Sequence, residues 1–278
     1  MRILSFQSSV VAGHVGNKAI CLPLQRLGFD VWCIDTVSFS NHPAHGSHTG
    51  RIAAPDEIAA LVNGLDARNL LSGCDAIVSG YLGDPGTGSV VLDAVARAYA
   101  DNPGLLYVCD PVMGDDGRRY VADGIDGFFR EIGIPAADIV TPNAFEAGIV
   151  TGLTVGDTDG AIAAAEVLHA LGPRIAVVTG LDRNGDIETV ARDANAAWHV
   201  ITPKIPVVSF GAGDLFTGLL TAFVLQKRDL PDALARAVSI VHDVLRIAAD
   251  SGAEDLPLVS VQETFGQSKP RFTAQKIS

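Results

Sequence analysis

With 278 residues, 48% of them hydrophobic, the chain can build one large α/β domain or two small ones and is too apolar for a disordered segment. Its formal net charge of −12, with no Lys/Arg cluster, excludes a protein whose main task is holding nucleic acid. The four cysteines, Cys21, Cys33, Cys74 and Cys109, form no C-x-x-C pair and sit in apolar runs, so four buried reduced thiols are expected rather than a zinc site or a disulfide framework.

The N-terminal run Met1-Arg2-Ile3-Leu4-Ser5-Phe6 is too short for a signal peptide, and no apolar run reaches the length of a membrane span. A cytoplasmic protein without membrane contact is expected. Apolar runs at 3–6, 31–34, 76–79, 105–109, 139–140 and 175–179 predict buried strands. Between them, helical periodicity covers 17–27, 56–64, 88–100, 145–151 and 159–171. This alternation, with strands apolar almost throughout, predicts a parallel sheet covered on both faces. Late in the chain the order changes. Residues 187–192 and 198–201 predict a hairpin around Asp193-Ala194-Asn195, and two consecutive helices follow at 211–225 and 230–249. Residues 266–278 are polar and are expected to form a peripheral tail on a single domain spanning 1–278.

Ligands of such a sheet bind outside the carboxyl ends of its strands. The segments expected there are 7–17, 36–50, 80–86, 110–117, 141–146 and 179–182, all rich in Gly, Pro, Asp, Asn, Ser or Thr. The strongest feature is Phe210-Gly211-Ala212-Gly213-Asp214, opening an apolar helix. Its glycines permit a tight turn and close approach of a ligand, and the free N–H groups of the helix start make an anion hole. A carboxylate there would repel phosphate unless it has another task, such as taking the proton of an attacking hydroxyl. A helix-start aspartate with no chemistry is the bland alternative. No G-x-x-x-x-G-K-[ST] segment is present, so phosphate would be held by the glycine turn and a metal ion.

Thr141-Pro142-Asn143-Ala144-Phe145-Glu146 follows a strand and opens a helix. Asn143 and Glu146 have capping-box spacing. They would equally serve as a polar contact to phosphate and as a carboxylate orienting a magnesium-bound water, because Mg²⁺ keeps several waters and uses few carboxylates. Asp110 ends an apolar strand at its carboxyl end, where a carboxylate reads as a site residue, and Asp115 is either a site or a turn residue. The glycines of Gly13-His14-Val15-Gly16-Asn17 do not have the dinucleotide spacing G-x-G-x-x-G. His42, His45 and His48 crowd one loop without a common zinc spacing and are expected to be solvated.

Together these segments resemble the pyridoxal kinases of the ribokinase superfamily over nearly the whole chain. Gln7-Ser8 with Gly13-His14-Val15-Gly16-Asn17 is similar to the first loop of that family, and Thr36-Val37-Ser38-Phe39-Ser40-Asn41-His42 to its substrate loop. Ser79-Gly80-Tyr81 and Asp110-Pro111-Val112-Met113-Gly114-Asp115 fit as well, while Thr141-Pro142-Asn143 with Glu146, and Gly211-Ala212-Gly213-Asp214, are shared by the wider superfamily. The resemblance implies a ribokinase-like three-layer α/β/α fold around a mostly parallel sheet. It also implies transfer of the γ-phosphate of ATP to the 5′-hydroxymethyl group of pyridoxal, with Asp214 as general base and Gly211, Ala212 and Gly213 as anion hole. By the same resemblance Ser8 contacts the pyridine ring, Val37, Phe39 and Tyr81 wall it, and Pro43 and Ala44 lie in the substrate loop. Asp110, Asp115, Tyr120, Thr141, Asn143, Glu146 and Thr179 would line the ATP phosphates, Tyr120 as a lid, with Thr202, Pro203, Lys204 and Ile205 near the nucleotide. Glu146 would hold Mg²⁺ through water, and Asp110 and Thr141 a monovalent cation such as K⁺. The family is typically homodimeric.

The chain departs from the pattern in two places. Pro43 stands where the family has a threonine, and the segment from Trp198 to Asp214 is shorter. A hydroxymethylpyrimidine or hydroxymethylpyrimidine-phosphate kinase is the nearest alternative, and residues 36–42 with Tyr81 argue against it. A sugar or nucleoside kinase would need more polar groups than Ser8 and Ser9 offer in the first loop. A carrier or sensor binding pyridoxal phosphate without turnover is the non-enzymatic alternative, against which the intact Asp214 and its glycine turn speak.

Overall fold

The computed structural model describes residues 1–115, 117–207, 210–266 and 269–277. The expected strands become β1 (Arg2–Val10), β2 (Asp30–Phe39), β4 (Ala76–Ser79), β5 (Leu106–Cys109), β8 (Ile139–Val140) and β9 (Ile175–Asp182). The hairpin is β10 (Asp186–Arg192) and β11 (Ala197–Pro203), closed where the Asp193 carboxylate accepts from the amides of Asn195 and Ala196. The helices are α1 (Asn17–Arg26), α2 (Pro55–Asp66), α3 (Pro85–Asp101), two single turns α4 (Ile125–Phe128) and α5 (Ile134–Ala136), α6 (Ala144–Thr151), α7 (Thr158–Ala170), α8 (Ala212–Leu225) and α9 (Leu230–Ser251).

Three short strands were not legible as such: β3 (Gly50–Ile52) and the pair β6 (Gly114–Asp115) and β7 (Arg118–Arg119). The segment 36–50, expected to be a connection throughout, instead continues β2 to Phe39, and Val37, Ser38 and Phe39 pair antiparallel with Ile52, Arg51 and Gly50. The polar tail also gains structure at the edge of the sheet. Gln275 and Lys276 form β12 against His199 and Trp198, and the Phe272 amide donates to Ser239 Oγ on α9. Residues 267, 268 and 278 of that tail lie outside the described residues.

The main sheet has the order β12-β11-β10-β9-β8-β5-β4-β1-β2-β3. Its centre, from β9 to β2, is parallel, and the hairpin and both edges are antiparallel. One apolar layer, with Ile58, Val91, Ala147 and Ala164, packs α2, α3, α6 and α7 on one face. The other, with Ile20, Leu24, Leu219 and Leu234, packs α1, α8 and α9 on the opposite face. This is the expected three-layer α/β/α architecture. The chain leaves β1 for β2 on one side and returns to β4 on the other, so the strand order reverses between β1 and β4 and opens a crevice at their carboxyl ends.

The expectation of four buried thiols holds for Cys74 and Cys109 and fails for the other two. Cys33 is exposed and Cys21 half-buried, because the part of β2 before Val37 has no strand on its outer side and α1 leaves this seam open to solvent.

Candidate active site

The crevice between β1 and β4 is floored by small residues. The Gly80 amide donates to the Phe6 carbonyl, and a Cβ at Gly80 would stand 2.9 Å from the Gln7 side chain. Ser8 lies near the end of β1 and Tyr81 immediately beyond β4, half-buried, with burial raising its phenol pKa. The Thr36 hydroxyl donates to the Tyr81 carbonyl at 2.5 Å and ties this turn to β2. Val37 is more enclosed than a wall residue of an open cavity, 1% exposed and packed toward Gly83 and Ile52. Phe39 is half-buried with the His48 ring 4.8 Å away.

Beyond Phe39 the loop makes a single 3₁₀ turn over Pro43–His45, capped by His42, with Pro43 and Ala44 exposed. Here the expectation of solvated histidines fails for His42. Its ring stacks on Phe210 at 4.0 Å, and His45 meets the same ring edge-on at 5.3 Å. Burial, and then the neighbouring His45, lower the His42 pKa. Phe210 directly precedes the glycine turn, so this stack brings the substrate-loop segment against the anion hole. Neither His42 nor Phe210 carries a sequence signal for this contact, since 168 positions part them (210 minus 42).

Gly211 caps α8 in a left-handed conformation, φ 88°, and a Cβ there would meet the His14 carbonyl at 2.2 Å. Only glycine fits this turn. Ala212 and Gly213 are the first helical residues, and Gly213 is exposed with open space beside it. Asp214 sits in the first turn of α8, and the Gly16 amide donates to its Oδ2 at 2.8 Å. Burial raises the Asp214 pKa, and that hydrogen bond pulls part of the shift back. Gly16 is itself a forced glycine, since a Cβ would stand 2.0 Å from the Ser8 carbonyl. The first loop therefore links Ser8, Gly16 and Asp214.

Asp110 follows β5 and is 5% exposed. The Thr217 hydroxyl donates to its Oδ2 at 3.1 Å, and Thr141, just past β8, shares a 2.8 Å hydroxyl contact with Thr217. Glu146 is 3% exposed, its Oε1 accepting from the amides of Met113 and Gly114 and its Oε2 from that of Asn143. Asn143 caps α6 reciprocally, its Oδ1 accepting from the Glu146 amide at 2.9 Å and its Nδ2 donating to the Gly114 carbonyl. The capping box expected from the spacing is present, and it fixes Glu146 rigidly. Burial pushes the Glu146 pKa up to about 7, three backbone N–H groups opposing the shift. Burial and then the charges of Glu146 and Asp214 raise that of Asp110 well above the carboxylate range. Among the described residues none of these three carboxylates forms an ion pair with lysine or arginine. A buried, mutually repelling acidic group of this kind fits a cation. No three His, Cys, Asp or Glu side chains among the described residues close into a chelating group.

Tyr120 follows β7, its amide bonded to the Met113 carbonyl. Partial burial, and then the field of Glu146, Asp115, Asp110 and Asp214, raise its phenol pKa, although the residue is 54% exposed. A second region lies one strand further along. Asp115, Asn143, Phe145, Gly180, Leu181 and Asp182 help line a cavity of about 240 Å³. Thr179 borders it, its amide bonded to the Pro142 carbonyl. Lys204 forms an ion pair with Asp182 and bonds the Gly185 carbonyl through its amide, which brings the end of β11, with buried Thr202, exposed Pro203 and half-buried Ile205, to the same edge. Ser8, Tyr81, Asp110, Thr141 and Asp214 thus ring the crevice, and Asn143, Thr179 and Lys204 border the neighbouring cavity.

Residues 66–259 match the family described as phosphomethylpyrimidine kinase. The chain is 43% identical to the pyridoxal kinase PdxY of Rubrobacter xylanophilus, over 100% of this chain and 98% of the relative. It is 40% identical to that of Leifsonia xyli subsp. xyli, over 100% of both. Among solved structures, pyridoxal kinase from Leishmania donovani in complex with ADP and pyridoxine superposes with a TM-score of 0.95 at 28% identity, covering 100% of this chain and 99% of that one. The same enzyme in complex with ADP and pyridoxamine gives a TM-score of 0.93 at 29% identity, with the same coverage. On full-length identity, a shared fold and a family match across most of its length, this chain belongs to the pyridoxal kinases of the ribokinase-like fold.

Proposed function

We infer that the chain transfers the γ-phosphate of ATP to the 5′-hydroxymethyl group of pyridoxal, giving pyridoxal 5′-phosphate for vitamin B6 salvage. The observation that carries this reading is the placement of Asp214. It stands at the N-terminus of α8, held by Gly16, beside a turn that only glycine can make and opposite the loop that His42 docks on Phe210.

The proposed steps use this chain's own groups. Ser8 and Tyr81, on the two sides of the strand-order reversal, hold the pyridine ring, with Phe39 and the Pro43-Ala44 turn closing over it and Val37 supporting the wall from beneath. The hydroxymethyl oxygen attacks the γ-phosphorus while its proton passes to the Asp214 carboxylate, and the bond from the γ-phosphorus to the β,γ-bridging oxygen breaks to release ADP. Burial has raised the proton affinity of that carboxylate, which strengthens it as a base. Charge gathering on the transferred oxygens meets the free amides of the Gly211-Ala212-Gly213 turn. Asp110, Thr141, Asn143 and Glu146 face the phosphates and cations, Tyr120 covers them, and Thr179 with Thr202, Pro203, Lys204 and Ile205 borders the nucleotide. Mg²⁺, held by Glu146 through water, would neutralise phosphate charge that no Walker lysine is present to offset, and a monovalent cation would sit at Asp110 and Thr141. The enzyme is proposed to act in the cytoplasm as a homodimer, to be checked by sedimentation.

An assay of ADP release from ATP and Mg²⁺ with pyridoxal, run beside hydroxymethylpyrimidine and ribose, tests the reading. Pyridoxal should be turned over with the highest kcat/KM. Preference for hydroxymethylpyrimidine would move the chain to the activity named by its family description. Binding of pyridoxal phosphate with no ADP formed would make it a carrier.

A further inference from the structure

On the face of the sheet opposite α2 and α3, α1 runs back along β2 in a fixed register. Asn17, at the start of α1, donates to Asp35 Oδ1 at 2.7 Å and to the Ile34 carbonyl at 3.1 Å. Leu24, near its end, shares an apolar cluster with Val31. One helical turn of four residues advances about 6 Å and two strand residues about 6.6 Å, so the register that sets Asn17 over Asp35 sets Cys21 over Cys33. Val31, Cys33 and Asp35 share one face of the strand by its two-residue period. In this register the two thiols face each other across the seam and perturb each other's titration, Cys33 exposed and Cys21 half-buried, and both are free.

From this geometry we propose that Cys21 and Cys33 are a reversible redox pair that closes to an intramolecular disulfide when the protein meets a low-molecular-weight disulfide. The reaction is two thiol–disulfide exchanges. The Cys21 thiolate attacks one sulfur of the external disulfide RSSR, its S–S bond breaks, and RS⁻ leaves. The Cys33 thiol then gives its proton to solvent and its sulfur attacks the Cys21 sulfur of the mixed disulfide, expelling the second RS⁻. The two cysteines lose two electrons and two protons, and RSSR is reduced to two RSH. The order of attack follows from the microenvironments. The contact with Cys33 lowers the Cys21 pKa, against burial, which favours Cys21 as the attacking thiolate. Cys33 is shifted the other way, chiefly by the same contact and by burial, and waits as the resolving thiol. Burial pushes Cys74 and Cys109 up to about 11 and about 12, which keeps them inert.

The closed bridge would pin α1 to β2 at the seam whose N-terminal end delivers the Gly16 amide to Asp214. The full-length protein is incubated with oxidised glutathione, quenched with iodoacetamide, and read by intact mass and peptide mapping. The expected result is two fewer alkylated cysteines than in the reduced protein and a cross-linked peptide joining Cys21 to Cys33. Cys33→Ser should instead trap glutathione on Cys21, and Cys21→Ser should form no intramolecular bridge, any glutathione then remaining on the exposed Cys33. Cys33 is exposed, so its serine variant is expected to fold, which a thermal melt verifies. Full alkylation of both thiols in the oxidised wild type, or a stable glutathione adduct on Cys21 with Cys33 still free, would overturn the proposal. So would failure of Cys33→Ser to trap the adduct.

Discussion

The amide of Gly16 donates a 2.8 Å hydrogen bond to Asp214 Oδ2 across 198 residues of sequence, joining the start of the first helix to the start of the eighth. The bond orients the carboxylate and leaves Oδ1 as the oxygen available to a substrate hydroxyl. Asp214→Asn should therefore keep pyridoxal binding, read by titration, while kcat for ADP release falls by about 10²–10⁴-fold, the usual contribution of a positioned general base. A variant keeping most of its kcat would make Asp214 a helix-start residue only.

The second prediction concerns Gly211. Alanine there must adopt a left-handed backbone, costing about 1–2 kcal/mol, and drive its Cβ into the His14 carbonyl. Gly211→Ala should lower the melting temperature by several degrees. It should also reduce kcat by about 10²-fold, the scale of losing one anion-hole donor. Full activity in a destabilised variant would show that the turn matters to folding alone.

Turnover should require Mg²⁺ or a similar divalent ion, and excess chelator should abolish it. Because the Glu146 carboxylate is gripped by three backbone N–H groups, Glu146→Gln is expected to act on metal affinity through the waters it orients. The magnesium concentration for half-maximal rate should rise severalfold. An unchanged magnesium requirement would remove Glu146 from the metal site.

The buried acids also set a pH dependence of stability. The folded-state pKa of Glu146, about 7, lies above its ordinary 4.5, and that of Asp110 is raised as well. Below the ordinary value both states bind the proton, and the site costs nothing. As pH climbs through the window between 4.5 and about 7, the unfolded chain ionises first and the folded protein loses stability. Asp110→Asn should thus raise the melting temperature at pH ~8 more than at pH ~4, in protein stripped of divalent ions. Adding magnesium and nucleotide should shrink the gain by stabilising the wild type. An equal gain at both pH values would mean that the acids do not repel one another.

Pro43 stands at a position where the resemblance leads one to expect threonine. Its 3₁₀ turn is exposed, capped by His42 and docked on Phe210, so a threonine here would keep the turn and add a hydroxyl at the rim of the crevice. One neutral hydrogen bond contributes about 1 kcal/mol, so Pro43→Thr should lower KM for pyridoxal roughly fivefold with kcat little changed. A KM that stays level or rises would place the turn out of reach of the ring.

The alternation of strands and helices was readable in the chain because each element carries its own period. The runs at 76–79 and 139–140 are the strands themselves, since strands buried on both faces are apolar without interruption. The Gly211-Ala212-Gly213-Asp214 turn and the Asn143–Glu146 cap were readable for the same reason, as local backbone geometry demands those residue types. The edge strands β3 and β12 were not. They are short and wholly exposed, so no apolar alternation marks them, and their pairing depends on what lies beside them. Nor could any local signal show that His42 stacks on Phe210, that Thr217 bridges Asp110 and Thr141, or that Cys21 faces Cys33. Those juxtapositions are set by strand order and by the register of α1 on β2. Periodicity along the chain reports whether a residue is buried, while only the closed sheet decides which distant residue is buried against it.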